Sequence, residues 1–241
     1  MMIAIRVEQL TKHYGSVKAV DGLSLNVEAG ELFSLLGVNG AGKTTTIKML
    51  SALTQPTSGD AFIHGKSIRV EPAAVKSMIA VSPQETAVAQ ALTVKENLDM
   101  MCGIYGFPKE KSADMIREMT ERFGLSSVLD RRAGKLSGGW MRRLSIAMAL
   151  IGEPKVLFLD EPTLGLDVLA RHELWDTIRS LRGRVTVILT THYMEEAEAL
   201  SDRIGIMRDG RLLLCGTAES IMEHAGCDRF EDAFVRIVQE G

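Results

Sequence analysis

A glycine-rich segment between an apolar run and a helical pattern constrains the fold of this chain more than any other feature. The segment, GVNGAGKTT, spans residues 37–45 and follows the apolar run LFSLL. After it, Ile47, Leu50 and Leu53 recur at helical spacing. Glycines let backbone N–H groups turn inward around an anion, and the start of a helix adds positive potential. The order strand, glycine loop, Lys-Thr and helix therefore predicts a phosphate-binding loop in an α/β fold.

This loop predicts both nucleotide contacts and a metal ligand. Lys43 would reach the β- and γ-phosphates, and the hydroxyl of Thr44 can bind Mg²⁺. A glycine turn with a chance lysine is the alternative, which the flanking strand and helix disfavour. The residues that we expect to contact the nucleotide here are Gly37, Asn39, Gly40, Ala41, Gly42, Lys43, Thr44 and Thr45.

Two adjacent carboxylates follow a later apolar run, KVLFLDEP. Asp160 ends that run and is expected to hold Mg²⁺ through a water. Glu161 comes next and is suited to orient or deprotonate an attacking water. Asp160 cannot take this role while it holds the metal. The alternative is an Asp-Glu pair that simply ends a strand in solvent. With the phosphate loop present, the pair favours a catalytic site.

The pattern of apolar residues predicts the fold class. Alternation at residues 3–7 and 23–27 indicates antiparallel strands with one buried face. Fully apolar strands are expected at MIAVS, VLFLD, VTVILTT and IGIM, with helices between several of them. We therefore expect an α/β fold: a P-loop NTPase core with a mostly parallel sheet covered on both faces, and an antiparallel β subdomain.

Between the predicted strands MIAVS and VLFLD, the sequence has the apolar spacing of helices. Thr93 and Glu96 form a capping-box signature, and apolar residues at helical spacing follow. Gly216 onward has apolar positions that favour a helix capping the core over an amphipathic tail. At 241 residues the chain fits one large domain. We expect one domain over 1–241, with core and β subdomain at about 1–84 and 153–215, an α-helical subdomain at about 85–152, and a tail at about 216–241.

A second anion-binding loop occurs in the helical stretch. KLSGGWMRR, residues 135–143, places a serine and two glycines before a basic helix. Phosphate loop, LSGG, FLDEP and TTH in this order give the chain a specific resemblance to the nucleotide-binding subunit of ABC transporters. The resemblance covers nearly the whole chain. In its sequence around these motifs, the chain is most similar to the branch of the family that exports drugs, lipids or polysaccharides.

The resemblance implies roles for further residues. Tyr14 would stack on adenine, although a tyrosine at this position could also be a packing residue. Gln84 would reach Mg²⁺ or the attacking water, and the alternative is that it is an ordinary polar loop residue. His192, after an apolar strand, would contact the γ-phosphate or hold Glu161 in place. The remaining residues implied are the signature Ser137, Gly138 and Gly139 and the D-loop aspartate Asp167.

The resemblance also implies ligands and partners. The ligands are ATP and Mg²⁺, and ATP would join two subunits head to tail, each nucleotide lying between one phosphate loop and the opposing signature. The second subunit would be a copy or a homologue. Hydrolysis would drive transport, in the direction of export, through separate transmembrane permease subunits, with this chain peripheral at the cytoplasmic face. Trp140, Leu164 and Val168 depart from the family pattern. We expect Trp140 to pack against the helical part. Leu164 and Val168 lie in the D-loop, and these two changes put the cross-dimer hydrogen bonds of that loop in doubt.

Composition excludes some functions and leaves alternatives open. The formal charge is -3, from 28 basic and 31 acidic residues spread along the chain, so no nucleic-acid partner is expected. No apolar run approaches the roughly 20 residues of a membrane span, so a membrane role needs another chain. One alternative is a soluble ABC-type ATPase that switches a ribosome or DNA complex, although such proteins usually join two units or insert a long coiled coil. Another is a P-loop phosphotransferase, which the signature and Glu161 oppose.

Overall fold

The computed structural model describes residues 2–240, which form two β-sheets and a set of covering helices. The strands are β1 (Ile3–Tyr14), β2 (Val17–Glu28), β3 (Leu32–Gly37), β4 (Ser58–Ile63), β5 (Lys66–Ser67), β6 (Ile79–Ser82), β7 (Val156–Asp160), β8 (Thr186–Thr191), β9 (Arg203–Arg208) and β10 (Arg211–Gly216). The helices are α1 (Lys43–Leu50), α2 (Pro72–Lys76), α3 (Val94–Ile104), α4 (Lys109–Arg122), α5 (Gly138–Leu150), α6 (Val168–Arg179), α7 (Met194–Leu200), α8 (Ala218–Ala225) and α9 (Phe230–Glu240).

The central sheet has six strands in the order β10-β9-β3-β8-β7-β6. Its strands are parallel except for β10, which pairs antiparallel with β9 at one edge. Every residue of β3, β7 and β8 is buried, as expected where helices and a second sheet cover both faces of a parallel sheet. The predicted α/β fold with a mostly parallel sheet is confirmed.

The smaller sheet is antiparallel, in the order β2-β1-β4-β5. Ile5 lies opposite Val27 and Val7 opposite Leu25, so the alternating apolar residues of both strands share one buried face. That face packs with the central sheet and α1 in one apolar cluster. The predicted antiparallel part of the fold is therefore present.

Between β6 and β7 the chain forms α3, α4 and α5, with two short 3-10 turns at Leu125–Val128 and Ala133–Lys135. The capping box at the start of α3 is confirmed, because Thr93 accepts from the N–H of Glu96 and Glu96 accepts from the N–H of Thr93. Apolar side chains of these helices share one buried cluster with the covered face of the sheet. The subdomain boundaries remain a prediction.

The C-terminal segment packs on the core. α8 and α9 join α7 and β9 in a third apolar cluster that includes Ile206, Ile221, Phe230 and Phe234. The preferred interpretation of this segment, a helical cap, is thus confirmed for the residues up to 240. Within the described residues, no helix is both long enough and apolar enough to cross a membrane.

Candidate nucleotide-binding site

The carboxyl ends of the parallel strands β3, β6, β7 and β8 meet at one edge of the central sheet, where α/β proteins bind their ligands. A cavity of about 760 Å³ opens there, which is the size of a small-molecule site. The residues lining it are Tyr14, Val17, Lys18, Ala19, Asn39, Gly40, Ala41, Gly42, Lys43, Thr44, Thr45, Gln84, Glu161, Leu164, His192 and Asp209.

The glycine loop forms one wall of this cavity in a conformation that only glycine adopts easily. Gly42 has φ +99°, and a Cβ there would lie 2.4 Å from the carbonyl oxygen of Ala19. Gly40 has φ +85°, and a Cβ there would meet no atom of residues 2–240 within 4 Å. Helix α1 begins at Lys43, so its first N–H groups have no partner inside the helix. The loop has the shape of an anion cradle.

The Lys43 ammonium group is held inside the cradle. Its Nζ donates to the carbonyl oxygens of Gly37 at 2.7 Å and Val38 at 3.2 Å, and lies 3.7 Å from Oε1 of Glu161. The side chain is only 5% exposed. Burial lowers the pKa of Lys43, and the nearby carboxylate of Glu161 opposes that shift. The site therefore offers a positioned cation with one carboxylate at ion-pair distance, ready for a phosphate.

The buried carboxylate of Asp160 joins three elements. Its Oδ1 accepts from the hydroxyl of Thr44 at 3.1 Å and from the hydroxyl of Thr190 at 2.5 Å. Hydroxyl and carboxylate oxygens are ligands that Mg²⁺ prefers. In the described chain no group of three or more His, Cys, Asp or Glu could hold a metal ion alone. The pair of Thr44 and Asp160 fits an ion that takes its other ligands from a nucleotide and water.

Glu161 adopts a strained backbone conformation between two other groups of the site. Its φ of +45° is rare for a residue with a side chain, and its N–H donates to the carbonyl oxygen of Thr190 at 3.1 Å. Oε1 faces Lys43, and Oε2 lies 3.2 Å from Nδ1 of His192. That nitrogen is buried and makes no aligned hydrogen bond with residues 2–240. Such strain is typical of functional sites.

Tyr14 and Gln84 lie at the rim. Tyr14 is 48% exposed and borders the cavity with Val17, which suits a stacking platform for a planar base. Gln84 follows β6 and is exposed. The chain brings both residues to the cavity, and their individual roles remain predictions.

The signature residues and Asp167 form a separate surface outside the cavity lining. Ser137 is exposed before α5. A Cβ at Gly139 would lie 3.0 Å from Cβ of Ala170, so this glycine lets α5 approach α6. Asp167 caps α6 by accepting from the N–H of Ala170 at 2.9 Å. The signature residues and Asp167 thus lie at the starts of two packed helices, outside the lining of the cavity that holds the chain's own phosphate loop, whereas Leu164 of the D-loop lines that cavity.

The side chain of Trp140 packs as expected, because it is partly buried against the apolar cluster of the helical part. Its ring also lies 5.1 Å from the guanidinium carbon of Arg143. The packing interpretation of this departure from the family pattern is confirmed.

Three residues in or beside the cavity could not be assigned to the site from the sequence. Thr190 bonds Asp160, and its place in the apolar run VTVILTT, as a polar residue near a strand end, was a usable signal. Lys18 lies at the start of β2 in the smaller sheet, and Asp209 lies in the turn between β9 and β10 of the central sheet. Nothing local in the sequence marks those two positions.

Comparison with known proteins identifies the family. The family model described as ABC transporter matches residues 20–164, more than half of the chain. The daunorubicin/doxorubicin resistance ATP-binding protein DrrA of Streptomyces peucetius is 41% identical over 98% of this chain and 73% of its own length. The chain belongs to the ABC transporter family. As an ABC ATPase subunit it binds ATP, and its hydrolysis of ATP is coupled to transport.

Two further similarities support the ABC assignment. The Nod factor export ATP-binding protein I of Rhizobium sp. (strain N33) is 42% identical over 95% of this ABC ATPase and 76% of its own length. A solved structure described as the ATP binding subunit of an ABC transporter superposes with a TM-score of 0.85 and 27% identity, covering 97% of this chain and 99% of the other. The expected likeness to exporter-type subunits and the expected fold are both confirmed.

Proposed function

We propose that this ABC ATPase powers export through separate transmembrane permease subunits, as a peripheral subunit at the cytoplasmic face of the membrane. The exporter assignment is supported by the Nod factor export relative, whose name states that direction. The permease is proposed because the described helices include none that could span a membrane, while the family is one of transporters. The switch on a ribosome or DNA complex is not favoured, since the relatives above carry transport or resistance names.

The proposed chemistry assigns one task to each side chain of the cavity. Lys43 binds the β- and γ-phosphates, and the loop N–H groups share their charge. Bound through Thr44, Asp160 and Gln84, Mg²⁺ would draw electron density from the phosphates. Glu161 accepts the proton of the attacking water. His192 would keep that carboxylate oriented, since its Nδ1 lies 3.2 Å from Oε2 and needs only a change of alignment to form the hydrogen bond.

We propose further that ATP joins two such chains head to tail, the partner being a copy or a homologous subunit. The observation that carries this proposal is the separation of two anion-binding loops within one chain. Ser137 lies outside the lining of the cavity that holds Lys43, so the signature is unused unless another chain brings a phosphate to it. Phosphate-facing N–H groups act only within the first turn of a helix.

A mixed-chain labelling experiment tests the shared site. One chain carries Ser137→Cys with Lys43→Ala, so that it offers a thiol but holds nucleotide poorly. It is mixed with a differently tagged chain that keeps Lys43 and Ser137, and an ATP analogue with a thiol-reactive γ-phosphate is added with Mg²⁺. The proposal expects label on the first chain only when the second is present.

The control for this experiment is a chain with Lys43→Ala and the native Ser137, because Cys102, Cys215 and Cys227 are free thiols. Label on that control measures their background. Labelling at the introduced thiol that requires Lys43 in the same chain would contradict the head-to-tail site. The proposed permease partner is tested separately, by purifying the chain from gently solubilised native membranes; recovery without any transmembrane chain would contradict that partner.

A further inference from the structure

A guanidinium group is buried beside the candidate site without a carboxylate partner among residues 2–240 at ion-pair distance. It belongs to Arg142, on the first half of α5, and the residue is only 4% exposed. Burial lowers the pKa of Arg142 to about 10, against the opposing charges of Asp160 and Glu196. A buried cation without a close counter-charge is costly and is retained only where its hydrogen bonds matter.

The hydrogen bonds of Arg142 all go to the backbone of two segments that border the cavity. Nη1 donates to the carbonyl oxygen of Pro83 and, at 3.4 Å, to that of Gln84. Nη2 donates at 2.8 Å to the carbonyl oxygen of Asp160. One planar group therefore ties the end of β6 to the end of β7.

These two segments carry Gln84 and Asp160, the two residues that the proposed function assigns to the metal together with Thr44. The same helix begins directly after Ser137. We propose that Arg142 is a positioning residue: it fixes Gln84 relative to Asp160 and so sets the metal affinity of the site, and it links that geometry to the signature helix. The inference rests on the proposed metal site.

The side-chain type suits this task. The guanidinium fork presents donors in fixed, diverging directions, so it can bond two carbonyl groups of different segments at once. A lysine ammonium keeps the charge but is a single point on a flexible chain, and glutamine keeps donors but is shorter. Arg142→Lys and Arg142→Gln therefore remove the bridge in two different ways.

The experiment measures metal binding directly. Mn²⁺ is titrated, in the presence of a non-hydrolysable ATP analogue, into the wild-type chain and both variants, and bound Mn²⁺ is followed by electron paramagnetic resonance. Loss of an outer-sphere partner lowers metal affinity by roughly 10- to 100-fold, so we expect a drop of about tenfold or more. Fluorescent-nucleotide affinity without metal should stay unchanged, since Lys43 and the loop are untouched.

Two matched controls separate positioning from general loss of stability. Arg143→Gln removes the neighbouring guanidinium, which pairs with Glu173 on α6. Ile146→Ala removes apolar volume from the buried face of the same helix, so its melting temperature should fall, while the guanidinium group of Arg142 is retained. Both controls should keep wild-type Mn²⁺ affinity.

Unchanged Mn²⁺ affinity in both Arg142 variants would overturn this inference and leave the proposed function standing. So would an equal loss in Ile146→Ala, because the effect would then follow stability alone. If the wild-type chain itself bound no Mn²⁺ with nucleotide, the proposed metal site would fail instead, and the two failures are thereby distinguishable.

Discussion

Replacing Glu161 by glutamine separates the chemical step from nucleotide binding. The two side chains have nearly the same shape, so Glu161→Gln changes a charge and a proton acceptor and little else. A positioned general base contributes about 10²- to 10⁴-fold to a rate, or roughly 3–5 kcal/mol of the barrier at 1.36 kcal/mol per factor of ten. We expect phosphate release to fall by that factor.

ATP affinity should stay the same or rise, and the site geometry gives the sign. Oε1 of Glu161 lies 3.7 Å from Nζ of Lys43, with both side chains nearly buried. Two unit charges at that distance attract by about 4 kcal/mol at an effective dielectric constant near 20, before desolvation is counted. In Glu161→Gln the ammonium group of Lys43 no longer has this competing carboxylate, so its charge is free to attract the phosphates of ATP. If hydrolysis reopens the dimer, the ATP-bound dimer should accumulate.

Three measurements test this prediction: steady-state phosphate release, fluorescent-nucleotide titration, and gel filtration with MgATP. Glu195→Gln is the matched control, because Glu195 is a well-exposed carboxylate three residues beyond His192 and outside the cavity lining. Near-normal turnover in Glu161→Gln would refute the role of Glu161 as the base. A loss of turnover matched by an equal loss of ATP affinity would refute it too, because the residue would then act in binding.

Three further predictions concern binding, pH and backbone strain. Lys43→Ala should weaken nucleotide binding itself, and unchanged nucleotide affinity and turnover in this variant would contradict the assignment of the phosphate loop. Chelating the metal should instead abolish hydrolysis and leave metal-free nucleotide binding measurable. Burial raises the pKa of Glu196 above its ordinary value of 4.5, so the native chain holds this proton more tightly than the unfolded chain, and stability falls as pH rises above that value. Glu196→Gln should therefore be more stable than wild type in urea at pH 8, with the difference lost below pH of about 4.5; an advantage equal at both pH values would contradict this. Gly59→Ala should cost at least about 2 kcal/mol, because φ is +75° and a Cβ would lie 2.2 Å from the carbonyl oxygen of Gln9. Gly15→Ala, at φ +59° with no described atom within 4 Å of that Cβ, should cost only about 1 kcal/mol of strain in the same urea titration; equal losses would show that the contact does not matter.

The sequence predicted those parts of the fold and site that depend on local pattern. Apolar runs marked the buried strands because both faces of the central sheet are covered. Thr93 and Glu96 marked a helix start because a capping box involves only neighbouring residues. Lys43 and Thr44 were found because the phosphate loop is continuous in sequence. In each case the signal lies within one short stretch of the sequence.

Features that depend on register or on tertiary contacts could not be predicted. Thr190 bonds Asp160 because β7 and β8 pair with these two residues side by side, and no spacing in one chain states that register. Lys18 and Asp209 meet at the cavity because two sheets approach each other. Arg142 looked like part of a basic helix, and its three carbonyl partners are distant in sequence.

The signature loop is a second set of anion-binding groups in the same chain. One of its residues has a packing role within that chain, and another has no such role. Gly139 has a reason within its own chain, since a side chain there would press against Ala170 of α6. Ser137 has none of that kind: it precedes α5 as the N-cap residue, yet its hydroxyl makes no capping bond to the described helix, and the residue is exposed. An N-cap serine normally bonds a first-turn N–H. Its hydroxyl and the first N–H groups of α5 are therefore both left for a ligand, and the head-to-tail dimer proposed above would supply one from the cavity of a second chain.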